Sequence, residues 1–222
     1  MELPSCAVVI VAAGSSRRMG FDKLMADLWG RPVLAHSIEA FAKVSSTSEI
    51  IVVTDDDRYQ GSLRCLNDLP VPISRVDGGA ERHHSVSNGL EAIRHGSDYV
   101  AVHDGARPLV TKQAVEASLS SAAQHGAAAC AHPITETIKR ANESQFVTGS
   151  VDRTNLWAME TPQTFRLDLL RRAYSEVLAS GLLVTDEVSA MDAIGIPTHL
   201  VMNQSDNPKI TYPSDLERLA QV

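Results

Sequence analysis

The chain has 222 residues, of which 44% are hydrophobic and 21% are charged, and its formal net charge at pH 7 is −7. This composition is typical of a globular protein and excludes an intrinsically disordered chain or a coiled coil. An acidic protein is also poorly suited to coating nucleic acid or an anionic membrane. It can still bind an anionic small molecule if its cations are gathered in one place.

The cysteines and the N-terminal residues indicate the cellular setting. Cys6, Cys65 and Cys130 are too few and too far apart for a disulfide framework or a thiolate metal cage. Such cysteine usage favours a reducing compartment, so the expected location is the cytoplasm. The apolar run at residues 6–13 is too short to span a bilayer and follows no positive charge. We therefore expect a buried first strand there rather than a signal peptide.

Strand-like apolar runs alternate with helical patterns along the chain. The runs cover residues 7–12, 50–54, 73–76, 99–103, 127–131 and 199–202. Periodic apolar residues predict helices beginning at Pro32, around Val86 and over residues 167–178, and a capping box, S-D-L-E, predicts a last helix from Ser214. Short buried strands between amphipathic helices predict the α/β fold class, with a mostly parallel sheet covered on both faces.

Residues 135–159 break this alternation. Two loosely alternating segments, around Ile138 and Val147, are joined by the turn-like sequence A-N-E-S. The pattern predicts a β-hairpin that protrudes from the parallel sheet or forms a small sheet of its own. Because exposed apolar residues on a protruding arm usually pack against a second chain, we expect a homodimer formed through residues 135–159.

The strongest chemical signal is the sequence A-A-G-S-S at residues 12–16, directly after the first apolar run. Small residues let backbone N–H groups approach a phosphate, and α/β sheets bind nucleotides at the carboxyl ends of their strands. Arg17, Arg18 and Lys23 follow closely and supply cations suited to phosphate oxygens. The segment contains neither G-x-G-x-x-G nor G-K-[ST], which disfavours dinucleotide binding and ATP hydrolysis.

Later segments have the residue types of further parts of one site. Residues 77–85 form a second glycine-containing loop that ends with an arginine and a serine. Asp104 comes directly after a buried strand, where a partner for a metal–phosphate complex is expected. Arg153 follows the predicted hairpin, and Lys209 lies near the C-terminus in N-P-K-I-T. Taken singly, each segment is equally consistent with a turn, a cap or a surface charge.

Taken together, the segments resemble those of the 2-C-methyl-D-erythritol 4-phosphate cytidylyltransferase family. The shared motifs are A-A-G-x-x-x-R-M-x-x-x-K, G-G-x-x-R-x-x-S-V, H-D-G-A-R-P, D-R-x-x-L-W, T-P-Q, T-D-E and N-x-K-[IV]-T, in family order from about residue 7 to residue 219. The resemblance implies a single Rossmann-like nucleotidyltransferase domain over residues 1–222. It also implies transfer of a cytidylyl group from CTP to a methylerythritol phosphate. Asp22 and Ala80 depart from the family, which often has proline and a polar residue there.

The resemblance assigns a role to each matching residue. Arg18 and Lys23 would stabilise charge on the α-phosphate and the leaving pyrophosphate, while Arg153 and Lys209 would hold the methylerythritol phosphate. Mg²⁺ would bridge the phosphates, with Asp104 as a metal or substrate partner. Cytosine and ribose would contact Ala12, Ala13, Gly14, Gly79 and Ser85. The methylerythritol phosphate would also contact Arg107, Thr137, Thr161 and Thr185. In the family dimer, Thr137 and Arg153 would come from the partner subunit.

Three other functions fit the sequence less well. A nicotinamide-dependent dehydrogenase is disfavoured because G-x-G-x-x-G, with an acidic residue about 20 positions later, is missing from the sequence. A non-catalytic nucleotide-binding or scaffold protein would have no reason to keep Lys23, Asp104, Arg153 and Lys209 together. A ribitol 5-phosphate cytidylyltransferase more often reads H-D-A-V-R-P, so Ala106 favours the methylerythritol substrate.

Overall fold

The computed structural model describes residues 2–16, 19–94 and 96–221. The strands are β1 (Cys6–Val11), β2 (Asp27–Leu28), β3 (Arg31–Pro32), β4 (Thr47–Val53), β5 (Ile73–Val76), β6 (Tyr99–Asp104), β7 (Ala127–Pro133), β8 (Lys139–Ala141), β9 (Val147–Ser150), β10 (Trp157–Arg166) and β11 (His199–Met202). The helices are α1 (Val33–Ala42), α2 (Asp56–Leu63), α3 (Arg82–Glu91), α4 (Lys112–His125), α5 (Leu167–Ser180), α6 (Glu187–Ala193) and α7 (Pro213–Ala220). Among the described residues, no helix is both long and apolar enough to cross a membrane.

The central sheet has seven strands in the order β11-β7-β10-β6-β1-β4-β5. Every neighbouring pair is parallel except those of β10, which runs antiparallel to both β6 and β7. The predicted α/β class and mostly parallel sheet are confirmed. Strand β10 was not predicted, because its buried centre contains polar residues such as Glu160, Thr161 and Gln163. Side-chain hydrogen bonds to Asn207, His103 and Asp186 of other segments allow these groups to be buried.

Both faces of the sheet are covered, as predicted. Val8 and Ile10 of β1 lie in one apolar cluster with residues of α1 and α4. Val9, between them, lies in a second cluster with residues of α3 and α5. Since successive side chains of a strand point to opposite faces, this division shows that helices cover the sheet on both sides.

Helices α2, α4 and α6 were not predicted. Helix α2 is mostly polar, and α4 is rich in alanine and serine, so their apolar periodicity is weak. The capping box predicted from Ser214 is wrong. Helix α7 begins at Pro213, and the Asp215 carboxylate accepts the N–H groups of Thr211 and Tyr212, each at 2.9 Å.

Strands β8 and β9 form the predicted hairpin as a separate two-stranded antiparallel sheet. Its turn includes a hydrogen bond of 2.9 Å from the Gln145 N–H to the Asn142 carbonyl. Phe146 and Val147 are 72% and 67% exposed, although both are apolar. The hairpin ends before Trp157, which begins β10, so residues 157–159 of the predicted arm lie in the central sheet.

The three cysteines are free thiols in different surroundings. Cys6 and Cys130 are buried, and desolvation raises the pKa of each thiol to about 12. Cys65 follows α2, is half-buried, and donates to the Ser62 carbonyl at 3.1 Å.

Candidate active site

A cleft of about 570 Å³ opens where the carboxyl ends of β1, β5 and β6 meet. From β1 the chain passes through α1 to β4 on one side, and it later returns through α3 to β6 on the other side. Open α/β sheets bind ligands at such a change of direction. The first wall consists of residues 12–16 and 19–24, here called the nucleotide loop. The described residues lining the cleft are Val11, Ala12, Ala13, Gly14, Ser15, Ser16, Met19, Lys23, Leu24, Gly79, Ala80, Glu81, Arg82, Ser85, Asp104, Ala106, Lys209 and Thr211.

Glycines allow the second wall, residues 78–85, to pack closely against the first. A Cβ atom on Gly78 would lie 2.2 Å from the Cβ of Ala13 in the first wall. Within the second wall itself, a Cβ atom on Gly79 would lie 2.3 Å from the Cβ of His84. The Ser85 hydroxyl accepts the Gly79 N–H at 3.0 Å and donates to the Glu81 carbonyl at 3.2 Å. The sequence prediction grouped Ala12, Ala13, Gly14, Gly79 and Ser85, and the structure places all of them on the cleft.

Charged residues from distant parts of the chain meet beside these loops. Lys209 Nζ lies 2.7 Å from Asp104 Oδ2, and Arg82 Nη2 lies 3.4 Å from Asp104 Oδ1. Lys23 donates from Nζ to the carbonyl of Ile210 at 2.7 Å, and Ile210 directly follows Lys209 in the sequence. The structure therefore brings three of the predicted charged residues, Lys23, Asp104 and Lys209, to one cleft.

Asp104 is the central carboxylate of this group and is buried. Burial alone would raise its pKa, but the charges of Arg82 and Lys209 outweigh that effect and hold the pKa below its ordinary range. Asp104 is therefore ionised at neutral pH and partly neutralises the cleft cations.

Arg82 is a cleft residue to which the sequence analysis assigned no role. Its guanidinium forms two bonds to the buried Glu187 carboxylate, at 2.6 and 3.1 Å. The Tyr174 hydroxyl donates to Glu187 at 2.9 Å. Arg82 and Glu187 belong to the quoted motifs G-G-x-x-R and T-D-E, but only the fold brings these motifs together.

Thr161 and Arg107 were expected to contact substrate, but the structure places both behind the cleft wall. The Thr161 hydroxyl accepts the Asp104 N–H at 3.1 Å. Arg107 donates to the carbonyls of Asn207 and Met159, at 2.6 and 3.3 Å. These bonds hold the strand ends together, while Arg107 Nε lies 3.8 Å from Asp104 Oδ2 at the edge of the cleft. In the described structure both residues therefore support the cleft wall.

His103 also belongs to this supporting layer. Burial lowers the pKa of its ring to about 3, so the ring is neutral at pH 7. Its Nε2 lies 3.2 Å from the Arg107 carbonyl, which can only accept, so Nε2 carries the hydrogen. Nδ1 then accepts from the Thr161 hydroxyl at 2.9 Å. A neutral histidine with both nitrogens engaged supports the wall and has no free basic nitrogen.

The remaining predicted residues lie elsewhere. Thr137 and Arg153 are exposed on the hairpin segment, where the Arg153 guanidinium donates to the Thr135 carbonyl. Thr185 is exposed before α6, with its hydroxyl 3.5 Å from that of Ser189. Thr137, Arg153 and Thr185 are absent from the described lining of the cleft. Arg18, with Arg17, lies outside the described residues.

The carboxylates of the cleft bear on the expected metal ion. In the parts of the chain described, no group of three or more His, Cys, Asp or Glu side chains could hold a metal. Mg²⁺ usually binds through one or two carboxylates together with substrate phosphates and water. Asp104 and Glu81 both line the cleft, so the donor set fits a Mg²⁺ ion held largely by phosphate oxygens.

The nucleotide loop, the second loop packed against it and a group of cations lie together at one edge of a mostly parallel sheet. This is the point at which the order of the strands changes direction. This combination defines the class as an α/β nucleotidyltransferase, an enzyme that joins a nucleotide to a phosphate acceptor. The sequence model of the family described as "IspD: 2-C-methyl-D-erythritol 4-phosphate cytidylyltransferase" matches residues 6–222. The chain belongs to this family.

Individual relatives and solved structures agree with the family match. The chain is 41% identical over 214 residues to a 2-C-methyl-D-erythritol 4-phosphate cytidylyltransferase of Bacillus velezensis, covering 94% of this chain and 91% of that protein. A protein of the same name from Alkaliphilus metalliredigens is 38% identical over 214 residues, covering 94% and 89%. The structure of the enzyme of that name from Thermus thermophilus superposes with a TM-score of 0.81 at 29% identity, covering 100% of this chain and 98% of that one.

Proposed function

We propose that this protein transfers the cytidylyl group of CTP to 2-C-methyl-D-erythritol 4-phosphate. The products would be 4-diphosphocytidyl-2-C-methyl-D-erythritol and pyrophosphate, in isoprenoid precursor synthesis. The observation that carries the proposal is the cleft in which Lys23, Arg82, Asp104 and Lys209 adjoin two loops of small residues. The names of the relatives support the choice of CTP and of the sugar phosphate.

The reaction needs little acid–base chemistry. A phosphate monoester has a second pKa of about 6, so at pH 7 the attacking group is mostly a dianion. One of its oxygens forms a bond to the α-phosphorus of CTP, while the bond from that phosphorus to the bridging oxygen breaks and pyrophosphate leaves. The main difficulty is bringing a dianion against a triphosphate, which cations and fixed geometry can overcome. The neutral, fully engaged His103 is consistent with a site that needs no general base.

Each part of the cleft has a role in this scheme. The nucleotide loop and Gly79 would bind cytosine and ribose, and Lys23 would stabilise the charge that develops on the α-phosphate and pyrophosphate. Lys209 would orient the attacking phosphate, with Asp104 holding the ammonium group at 2.7 Å. Mg²⁺, when bound through Asp104 and the phosphates, would neutralise charge on the triphosphate.

The proposal includes a homodimer in which the hairpin of one subunit completes the cleft of the other. The exposed Phe146 and Val147 supply apolar surface for such contact. The placement of Thr137 and Arg153, away from the cleft of their own chain, fits a role across an interface. The cytoplasm is the proposed location because the cysteine content favours a reducing compartment.

The proposal is tested by incubating the protein with CTP, Mg²⁺ and one acceptor at a time while pyrophosphate is measured. Ala106 lines the cleft, and its side chain is the reason to expect methylerythritol 4-phosphate over ribitol 5-phosphate. We expect a preference in kcat/KM of at least about tenfold, or roughly 1.4 kcal/mol. Equal or reversed preference would assign the protein to the ribitol branch. No pyrophosphate with either acceptor would refute the cytidylyltransferase function.

A further inference from the structure

Arg58, on α2, joins the two ends of the nucleotide loop from behind the cleft. Its Nη1 donates to the carbonyl of Ala12, at the start of the loop, at 3.1 Å. Its Nε donates to the carboxylate of Asp22, near the end of the loop, at 2.7 Å. The Arg58 side chain is 14% exposed and that of Asp22 is 36% exposed, so the guanidinium is the more shielded of the two groups.

Asp22 extends this connection to Lys23. One Asp22 oxygen binds Arg58, and the other accepts the N–H of Leu24 at 3.1 Å. The two bonds fix the backbone on both sides of Lys23, whose ammonium group reaches the cleft. At the other end, the Thr54 hydroxyl also donates to the Ala12 carbonyl, at 3.2 Å. The base of the loop is therefore fixed to β4 and α2.

The positive charge of Arg58 is balanced by nearby carboxylates. Besides Asp22, its guanidinium lies 3.3 Å from Asp55, the N-cap residue of α2. Arg58 does not belong to the described lining of the cleft. Its contribution must therefore come from geometry rather than from positive charge offered to a substrate.

We propose that Arg58 and Asp22 form a clasp that holds the nucleotide loop in its CTP-binding shape. Without the clasp, the loop spends part of its time in conformations that do not bind CTP. The apparent affinity for CTP then falls in proportion to the binding-competent fraction, while the affinity for the second substrate stays unchanged. This inference rests on the proposed function for its kinetic readout and on the structure alone for its conformational one.

The kinetic test is a double-mutant cycle of Arg58→Gln, Asp22→Asn and the double variant. The Asp22→Asn side chain can still accept from Leu24 through its amide oxygen, which makes this the milder change. We expect each single variant to raise KM for CTP about tenfold relative to the wild type. The double variant should have a KM for CTP less than about threefold above that of either single variant. KM for the sugar phosphate should change less than about twofold. The proposal would be overturned if the effects of the two substitutions on KM for CTP multiplied in the double variant. Equal rises in KM for CTP and in KM for the sugar phosphate would also overturn it.

Arg58→Lys separates geometry from charge. A single ammonium group cannot reproduce two directed bonds from different guanidinium nitrogens, so this variant should resemble Arg58→Gln. Full rescue by lysine would contradict the clasp. The matched control is Arg31→Gln, which removes an arginine bonded to Glu39 at 2.9 Å and to His36 at 3.3 Å, outside the described cleft lining. This control should leave both KM values within about twofold.

Hydrogen exchange without substrates provides the second readout. In Arg58→Gln, the amides of residues 13–16 and 19–22 should exchange about tenfold faster, while those of β1 and β6 keep their protection. Unchanged exchange of the loop amides would overturn the proposal, and so would a uniform rise across the sheet. Because no turnover is involved, this result stays distinct from a failure of the cytidylyltransferase function, which would appear as inactive wild-type protein.

Discussion

The cleft and the hairpin differ in how their charged residues are held. In the cleft, each ionic group that we describe has a partner within the same chain, such as Asp104 with Lys209 and Arg82 with Glu187. On the hairpin, Arg153 and Thr137 are exposed and lie outside the described cleft lining. The described cleft is thus lined by residues of one chain, whereas Arg153 and Thr137 do not reach the cleft of their own chain.

The largest expected effect comes from the cleft side of this comparison. Lys23→Ala should lower kcat by about 10²-fold or more, because a cation at developing charge is worth that much in a preorganised site. KM for CTP should change less, and steady-state kinetics with varied CTP separates the two effects. Lys112→Ala is the control, since that lysine is exposed and pairs only with Glu116 in the described contacts. Normal kcat with a raised KM would show that Lys23 merely binds the ground state.

The hairpin side is tested by mixing inactive variants. Lys23→Ala and Arg153→Ala homodimers should each be nearly inactive, because every site lacks one cation. After subunit exchange at equal concentration, about half of the dimers are mixed, and each mixed dimer has one intact site. Activity should therefore recover to about one quarter of the wild-type value.

The recovery requires that Arg153 acts across the interface. If Arg153 served its own subunit, every site in the mixture would keep one defect and no activity would return. Native mass spectrometry of chains with different masses would establish that exchange has occurred. Confirmed exchange without recovered activity would therefore refute the shared site.

A smaller effect is expected when Arg82 loses its buried partner. Glu187→Gln keeps the side-chain shape but removes the charge that holds the guanidinium, so kcat/KM should fall about tenfold. Tyr174→Phe removes one bond to Glu187 and should cost only about threefold. Glu49→Gln is the control, since it also neutralises a buried carboxylate, one that accepts the Arg94 N–H. Equal losses in all three variants would indicate a general folding defect.

The last prediction concerns stability rather than activity, through its dependence on pH. His103 has a folded pKa of about 3, whereas the unfolded chain takes up this proton near its usual pKa of about 6.5. Falling pH therefore favours the unfolded state, and between pH 6.5 and 5 the free energy of unfolding should drop by about 1.6 kcal/mol from this group. Urea unfolding at several pH values should give a shallower dependence for His103→Asn. Parallel curves for both proteins would contradict this assignment.

The sequence predicted the architecture where local patterns were strong. The apolar runs located β1, β4, β5, β6, β7 and β11, and the turn A-N-E-S located the hairpin. Strand β10 was missed because its polar residues are buried through bonds that form only in the folded sheet. The alanine- and serine-rich α4 was missed because few large apolar side chains mark its buried face.

The site could be predicted only as separate motifs. The motif order implied that Lys23, Asp104 and Lys209 belong together, and the fold places them on one cleft. The sequence did not show that Arg107 and Thr161 face inward, because their partners are backbone groups of distant segments. Nor did it show Glu187 holding Arg82, since the two residues are far apart along the chain and no local spacing links them.

The contrast among the three thiols gives the protein a built-in attachment point for a spectroscopic label. At neutral pH, a thiol with a pKa of about 12 is ionised to roughly one part in 10⁵, so alkylating reagents should leave Cys6 and Cys130 unmodified. Cys65 is half-buried and lies just beyond the helix that carries Arg58. With a different fluorophore at Cys65 in each of two preparations, energy transfer between the two fluorophores would report subunit exchange in the proposed homodimer.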